Sequence, residues 1–349
     1  MISRVAESCF WLNRYVERVE ALARLLDVAQ SFQLDVDLGG AERWRPLVIV
    51  AGQERDFAEK IPVEQRDDAE TVQRYLCLEK SNPASILSSL FWARENARTI
   101  RETVSLEMWL TLNDLWLWFG SRSARRLWDV DRTAFYAHLR NQCALYHGHA
   151  SATMLHEDPY EFMRLGTALE RVSQTARLLD VKHHAMGPDS IGHETAAEAA
   201  QWLVVLRSCA AIEPFFKRPT NEISGRDVAG FLLFDPAFPR SVLHNLRHVR
   251  DLLRGLRSEA RPEIAAASRK LVEDTLARFE GLGIEGVSEA GLHASLTFLV
   301  DRTIEIGAQI HADYFAPVTF ARKVRDSGPE ERSRGVPSAR SPEERGPAA

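Results

Sequence analysis

The side chains best suited to chemistry lie in two Glu-Arg pairs, each followed two turns later by a further arginine on the same predicted helix. The residues are Glu17, Arg18 and Arg24 in the first group, and Glu170, Arg171 and Arg177 in the second. The planar fork of an arginine binds a carboxylate or a phosphate through two parallel hydrogen bonds. A glutamate acts as a general base only with a suitable pKa and a substrate proton within reach. The residue types therefore indicate anion binding and leave catalysis open.

A row of arginines follows each Glu-Arg helix further along the chain. The arginines recur every third or fourth residue, so they share one face of a helix, and an acidic residue adjoins each row. The rows contain Arg94, Glu95, Arg98 and Arg101, and Arg250, Asp251 and Arg254. In the space between a row and its Glu-Arg helix we expect a net positive site for an anionic ligand, such as a carboxylate-bearing peptide. The alternative is a set of ion pairs that only fixes how the helices pack, because a buried unpaired charge is costly.

Motifs for other chemistries are weak. His147 and His149 could contribute to a metal site, but the sequence lacks the Glu-x-x-His motif of di-metal helical bundles. It also lacks the Gly-x-Ser-x-Gly of serine hydrolases and the Gly-x-x-x-x-Gly-Lys-Ser/Thr loop that binds nucleotide phosphates. We therefore predict neither a metal nor a cofactor.

The elements that must position these residues are predicted to be helices. In residues 2–36 the apolar side chains form two stripes on roughly opposite sides of a helix, which indicates a central helix packed on both faces. Asn82-Pro83 opens a second long helix that runs to Phe119, since a proline near a helix start is tolerated. Residues 131–156 and 158–184 are further predicted helices. Because no convincing run of alternating apolar residues occurs, the predicted fold class is all-α.

An internal repeat relates the two groups of charged residues. Residues 17–28 read ERVEALARLLDV and residues 170–181 read ERVSQTARLLDV, with nine of the twelve positions identical. The arginine rows follow in the same order at nearly constant spacing, and so do the segments before them, Asn82-Pro83-Ala84 and Asp235-Pro236-Ala237. Repeated order at constant spacing predicts two copies of one helical unit. We therefore expect an internally duplicated multi-helix bundle with a pseudo-two-fold arrangement.

The repeat sets the predicted domain limits. The two copies cover about 1–155 and 156–316 and together form a single α-helical domain, 1–316. Residues 317–349 are rich in Pro, Gly, Ser and charged side chains. This composition predicts a disordered tail, because such a segment cannot bury enough apolar surface to offset its ordering entropy.

Charge and hydropathy narrow the classes of function. The formal net charge is -5, which disfavours non-specific nucleic-acid binding because that needs a basic surface. The sequence has no uninterrupted apolar stretch near the ~18 residues of a membrane span. Arg4, Glu7 and Arg14 interrupt the apolar core that a secretion signal would need. We expect a cytoplasmic protein with neither nucleic acid nor membrane as a partner.

Several separated segments resemble the bacterial alpha-E family, named for an α-helical domain with a Glu-Arg motif. The resemblance covers about residues 1–316 and is carried by Ser3-Arg4-Val5-Ala6-Glu7, Glu17-Arg18, Ala23-Arg24-Leu25-Leu26-Asp27-Val28, Asn82-Pro83, Ala93-Arg94-Glu95-Asn96-Ala97-Arg98, Glu107-Met108-Trp109, Asp235-Pro236 and Pro239-Arg240-Ser241-Val242. Members of this family typically accompany a circularly permuted ATP-grasp protein and a transglutaminase-like peptidase. The resemblance therefore implies a role in peptide ligation or modification with these partners, but it implies no known catalytic residue.

Three hypotheses of function follow. The first is an accessory helical protein of an ATP-grasp-linked peptide ligation or modification system, which binds its partner protein or an anionic peptide substrate through the Glu/Arg site. The second is an enzyme that acts on a peptide carboxylate or amide, with Glu17 or Glu170 as general base. The third is a purely structural or interaction module whose Glu and Arg side chains only hold helices together.

Overall fold

Helices are the regular elements of the structure, a computed structural model that describes residues 3–35, 43–186, 196–219, 222–256 and 266–316. In chain order they are α1 (Ser3–Asp35), α2 (Arg45–Val50), α3 (Glu54–Lys60), α4 (Ala69–Cys77), α5 (Ile86–Thr99), α6 (Leu106–Phe119), α7 (Arg122–Val130), α8 (Arg132–Thr153), α9 (Asp158–Met186), α10 (Ala196–Ser208), α11 (Ile212–Phe216), α12 (Gly225–Phe234), α13 (Val242–Gly255), α14 (Ala266–Ala290) and α15 (Leu292–Ile310). Short 3₁₀ and π-helical turns lie at Val63–Gln65 and His311–Phe315. Strands are missing from the described ranges, so the all-α prediction is confirmed.

The first helix, α1, is central, as its two apolar stripes predict. Cys9, Leu12 and Leu26 on one stripe are buried, and so are Phe10 and Leu22 on the other. The helix packs along α9, α5 and α8. A helix that buries two faces needs neighbours on both sides. This packing also carries the charged residues of α1 into the interior, where they need partners.

The helices α1 and α9 approach each other closely at Gly166. A Cβ atom built on this glycine would lie 2.2 Å from the carbonyl oxygen of Phe10 and 3.2 Å from Cγ of Arg14. Because the interior is close-packed, no larger side chain fits there unless one of the helices moves. The glycine therefore sets the distance between the two helices that carry the Glu-Arg pairs.

The single helix predicted from Asn82 to Phe119 is wrong, because the chain divides it into α5 and α6. The Ser105 hydroxyl accepts a hydrogen bond from the Met108 amide and caps the start of α6. Serine at a helix start satisfies an amide that has no intrahelical acceptor, and the apolar residues on either side hide this signal. The following helix, α7, is a further element that the sequence pattern did not predict.

Two matching turns lead into α5 and α13. The hydroxyls of Ser85 and Ser241 each accept a hydrogen bond from the amide three residues on, so each serine is the N-cap of its helix. The turn before α13 is three residues longer, because Phe238-Pro239-Arg240 stands between Asp235-Pro236-Ala237 and the cap, whereas Ala84 directly precedes Ser85. The longer turn therefore carries a guanidinium group, that of Arg240, for which the turn before α5 has no counterpart.

The described helices belong to a unit that extends to Ala316. The predicted tail, 317–349, lies outside the described residues. The division into two copies at 1–155 and 156–316 stays a prediction from the sequence. Within the described ranges, the helices are too short or too polar to cross a membrane.

Candidate functional site

The two Glu-Arg pairs face each other across α1 and α9 and bind reciprocally. Arg18 on α1 donates to Glu170 on α9 through Nε (2.8 Å to Oε1) and Nη2 (3.1 Å to Oε2). Arg171 on α9 donates through Nη2 to Oε2 of Glu17 on α1 over 3.0 Å. Each glutamate is thus held by the arginine of the other helix. This exchange fixes the register of α1 against α9.

Around Glu17 the charged side chains form a closed cluster. Arg240 donates to Oε1 of Glu17 over 2.8 Å and to Oε2 of Glu20 over 2.6 Å. Arg24 pairs with Glu20 one turn away on α1. The side chain of Glu17 is only 1% exposed. Burial alone would raise the pKa of Glu17, but the guanidinium groups of Arg240 and Arg171 lower that pKa to about 2, so the buried carboxylate stays ionised.

Around Glu170 the arrangement has more arginine than carboxylate. Arg14 donates through Nε to Oε2 of Glu170 over 2.9 Å, in addition to the two hydrogen bonds from Arg18. Gln174 donates to Oε1 over 3.2 Å. Burial again favours a raised pKa, but Arg18 and Arg14 outweigh it and lower the pKa of Glu170 to about 2. One carboxylate therefore faces two guanidinium groups, and the cluster keeps a net positive charge.

A cleft of about 290 Å³ opens beside Glu170. The charged residues on its wall are Arg14, Arg18, Glu170 and Arg177. An apolar side is formed by Leu22, Leu25 and Leu178. The cleft, called the Glu170 cleft below, thus combines three guanidinium groups, one carboxylate and an apolar wall.

Arg177 has no carboxylate partner in the described part of the chain. Its Nε donates to the Ser173 hydroxyl over 3.4 Å, which is a weak contact. Its side chain is half-buried. Burial lowers the pKa of Arg177, and the more distant charges of Glu170, Asp301 and Asp180 oppose this shift. A partly desolvated guanidinium with no carboxylate in hydrogen-bond contact is costly, and an anion in the cleft would relieve that cost.

The first arginine row has partners of its own, away from the Glu-Arg helices. Arg94 and Arg101 lie near the face of the Trp109 ring on α6, with their guanidinium carbons 5.6 Å and 5.1 Å from its centroid. Arg98 donates to Glu95 on its own helix over 2.6 Å. Cation–π and local ion pairs therefore account for this row.

The second row is likewise paired close to its own helix. Arg250 donates to its neighbour Asp251 over 2.8 Å. Arg254 donates to Glu273 on α14 over 2.6 Å. None of these residues lines the Glu170 cleft.

The structure therefore brings the two Glu-Arg groups together without the two arginine rows. The residues of these two groups are Glu17, Arg18, Arg24, Glu170, Arg171 and Arg177. We expected the site between each Glu-Arg helix and its arginine row. The charged cleft lies instead beside Glu170, and neither row lines it. The physical reason lies in α5, which buries Ala93 and Ala97 and so leaves its arginines on other faces, beside α6.

Three charged residues of these clusters, Arg14, Glu20 and Arg240, were not predicted as site residues from the sequence. Arg14 lies one turn before Arg18, so its position on the same helical face was a usable signal. Arg240 had no comparable signal, because its partners Glu17 and Glu20 are distant in the chain and the turn before α13 alone brings it to them.

Two other chemistries gain no support from the geometry. Residues 281–286 read GLGIEG, the Gly-x-Gly-x-x-Gly spacing of dinucleotide-binding loops. That loop must follow a strand, whereas this segment lies within the helical element α14, which is kinked at Gly283. Among the described residues no cluster of three His, Cys, Asp or Glu is placed to hold a metal ion.

The two depressed pKa values predict acid sensitivity. A carboxylate whose folded pKa lies below its ordinary value of 4.5 adds stability at higher pH. This stability is fully present above about pH 4.5 and is lost as the pH falls toward about 2. We expect the free energy of unfolding, measured in urea, to fall across this window. Glu170→Gln should flatten the decline, and an unchanged slope would contradict the prediction.

The fold and site define a class of all-α proteins organised around buried reciprocal Glu-Arg ion pairs. The Alpha-E family, described as a predicted alpha-helical domain with a conserved ER motif, matches residues 1–315. The chain belongs to the Alpha-E family. The reciprocal pairs, Glu17 with Arg171 and Glu170 with Arg18, give this motif a physical role in joining α1 to α9.

The chain is also similar to uncharacterised proteins of mycobacteria. A protein of Mycobacterium bovis (strain ATCC BAA-935 / AF2122/97) is 25% identical over 329 residues, covering 85% of this chain and 36% of the relative. Proteins of Mycobacterium tuberculosis strains CDC 1551 / Oshkosh and ATCC 25618 / H37Rv match over the same shares. The chain thus spans about a third of the length of these curated relatives. No solved structure matches it.

Proposed function

We propose that this protein is a cytoplasmic accessory protein of an ATP-grasp-linked peptide ligation or modification system. It binds an anionic group of the peptide substrate, or of the partner protein, in the Glu170 cleft. The observation that carries this proposal is Arg177, a half-buried guanidinium without a carboxylate partner in the described residues. The family resemblance supports the choice of system, with a circularly permuted ATP-grasp protein as the first partner and a transglutaminase-like peptidase as the second.

The charge balance of the cleft favours binding an anion. Three arginines and one carboxylate line the cleft, and the low local dielectric strengthens each interaction with an incoming negative charge. An arginine keeps several N–H donors free after one bidentate pair, because its guanidinium carries five. A carboxylate beside Arg177 therefore gains charge-assisted hydrogen bonds without breaking those that hold Glu170.

The buried glutamates are poorly suited to be general bases, which disfavours the enzyme hypothesis. Efficient proton transfer needs a pKa near the working pH, whereas the pKa of both Glu17 and Glu170 is about 2. The Glu17 cluster fits the purely structural hypothesis, because both of its acids are held by arginines of the protein itself. That hypothesis leaves Arg177 unexplained.

Arg177→Gln is expected to weaken the binding of a glutamate-rich hexapeptide by about tenfold or more, the effect of removing a hydrogen bond to a charged group. Isothermal titration calorimetry at low salt measures the affinity. Since Arg177 makes no direct ion pair with a carboxylate among the described residues, we expect the free energy of unfolding to stay level or rise. Arg250→Gln removes an arginine outside the cleft and serves as the matched control. Equal affinities for the two variants would overturn the proposed binding site.

The partner is tested by co-purification with the ATP-grasp protein encoded beside this one. We expect a complex, and a change in ligase activity when the accessory protein is added. The Arg177→Gln variant should form the complex less well or support less activity than the Arg250→Gln variant. Absence of both the complex and the activity change would rule out the accessory role.

A further inference from the structure

The Glu17 cluster and the Glu170 cleft differ at one corresponding acid. Residues 17–28 and 170–181 match in sequence, which aligns Glu20 with Ser173 and Arg24 with Arg177. In the closed cluster, Arg24 pairs with the Glu20 carboxylate one turn before it. In the cleft, Arg177 meets only the Ser173 hydroxyl at that place, 3.4 Å away. The Glu20 carboxylate of the Glu17 cluster thus corresponds to the small neutral hydroxyl group of Ser173 in the Glu170 cleft.

A second difference leaves room for an outside group. The longer turn before α13 brings Arg240 to the Glu17 cluster, whereas the shorter turn before α5 places Ala84 at the Glu170 cleft. The Arg240 side chain lies between the two acids of its cluster, 2.8 Å from Glu17 and 2.6 Å from Glu20. The methyl group of Ala84 cannot reach so far. The Glu17 cluster is therefore filled by the protein's own side chains, and the cleft is not.

We propose that the Glu170 cleft binds the terminal carboxylate of a peptide that ends in an apolar residue. The carboxylate takes the place beside Arg177 that the Glu20 side chain takes beside Arg24. This inference rests on the proposed function in that it names the ligand of the same cleft. The protein itself supplies the template, since it uses a carboxylate at the corresponding position.

The apolar wall decides between a carboxylate on a carbon chain and a free inorganic anion. Leu22, Leu25 and Leu178 line one side of the cleft, and each is buried. A fully hydrated phosphate gains nothing from such a surface, whereas an apolar side chain does. In a C-terminal residue the carboxylate and the side chain share one Cα atom, so both reach the cleft together.

The size of the cleft limits how much of the peptide enters. Its volume of about 290 Å³ lies at the lower end of ligand pockets, which span roughly 300–1,000 Å³. A single terminal residue fits such a space better than a folded segment does. The rest of the peptide then runs out over the rim, where Ile304 is 59% exposed.

The inference is tested by restoring the missing acid with Ser173→Glu. The new carboxylate lies one turn before Arg177, as Glu20 lies before Arg24, and should fill the binding position. We expect the affinity for N-acetyl-Ala-Ala-Leu as the free acid to fall by about tenfold or more, with thermal stability unchanged or higher. Ser173→Gln has the same size without the charge, and should keep the affinity within about threefold.

Three probes separate the possible ligands by calorimetry: the free-acid peptide, the same peptide with a C-terminal amide, and inorganic phosphate. Strong binding of the free acid alone supports the inference. If phosphate binds as tightly as the free acid and Ser173→Glu abolishes both, the cleft is a general anion site and the named ligand is wrong. If Ser173→Glu leaves free-acid binding unchanged, the inference is overturned. A failed ligase-partner test with intact free-acid binding would remove only the proposed accessory role.

Discussion

Replacing Glu17 with glutamine is expected to lower the free energy of unfolding by about 3–5 kcal/mol, the range for removing one partner of a buried ion pair. The substitution keeps the shape of the side chain and removes its charge. Arg171 and Arg240 would then lie in the interior with less compensation, since both donate to the Glu17 carboxylate. Urea unfolding at neutral pH measures the change.

An exposed ion pair provides the control for Glu17→Gln. Glu285 pairs with Arg226, and their side chains are 65% and 56% exposed. Pairs of this kind are worth at most about 1 kcal/mol because water competes with them. Glu285→Gln should therefore change stability little. A loss of stability for Glu17→Gln no larger than for the control would mean that the buried cluster does not hold α1 and α9 together.

Gly166→Ala is expected to lower the free energy of unfolding by about 2–3 kcal/mol, as overpacking in a dense core does. The added methyl group would meet the backbone carbonyl of Phe10 at 2.2 Å, and a backbone atom cannot rotate away as a side chain does. The helices α1 and α9 must then separate, which also stretches the reciprocal pairs. Thermal or urea unfolding measures the loss.

Gly148→Ala is the matched control, because this glycine also lies inside a helix, α8, and a Cβ atom there would meet nothing within 4 Å. Alanine is the better helix former by about 1 kcal/mol. The control should therefore be stabilised while Gly166→Ala is destabilised. Stabilisation by both substitutions would show that helix propensity, not the close approach of α1 and α9, dominates at Gly166.

The contrast between the two clusters connects stability with function. In the Glu17 cluster, Arg24, Arg171 and Arg240 hold both acids. The Glu170 cleft has Arg177 and an open volume, so our proposal places the outside anion there. We therefore expect the Glu170 cleft, and not the Glu17 cluster, to bind the ligand.

Much of the fold could be predicted because the spacing of apolar residues within a short stretch of sequence indicates a helix. The two apolar stripes of α1 identified it as a central helix, and it is buried on both faces. The limit of such patterns shows at Ser105, the N-cap that starts α6 after the short break between α5 and α6. Apolar periodicity continues across that break, so periodicity alone could not place it.

The candidate site was predicted only in part, for a related reason. The Glu-Arg groups were predicted because their spacing and repetition can be recognised from the sequence alone. The rows containing Arg94 and Arg250 were assigned to the same site because they share charge and face with it. In the structure these arginines instead contact residues close to their own helices, such as Trp109 and Asp251.

The amino-acid sequence by itself established an all-helical protein with two Glu-Arg segments, because residue spacing defines a helix and a repeat without knowledge of the fold. The packing of α1 against α9 determined which arginine binds which glutamate, since those partners are separated by 152 or 154 positions. The turn before α13 closed one cluster with Arg240, which lies 223 positions from Glu17, and the shorter turn before α5 left the other open at Ala84. Ion pairs form between residues that are distant in the sequence, so only the assembled helices could show that Arg177 has no carboxylate in direct contact among the described residues.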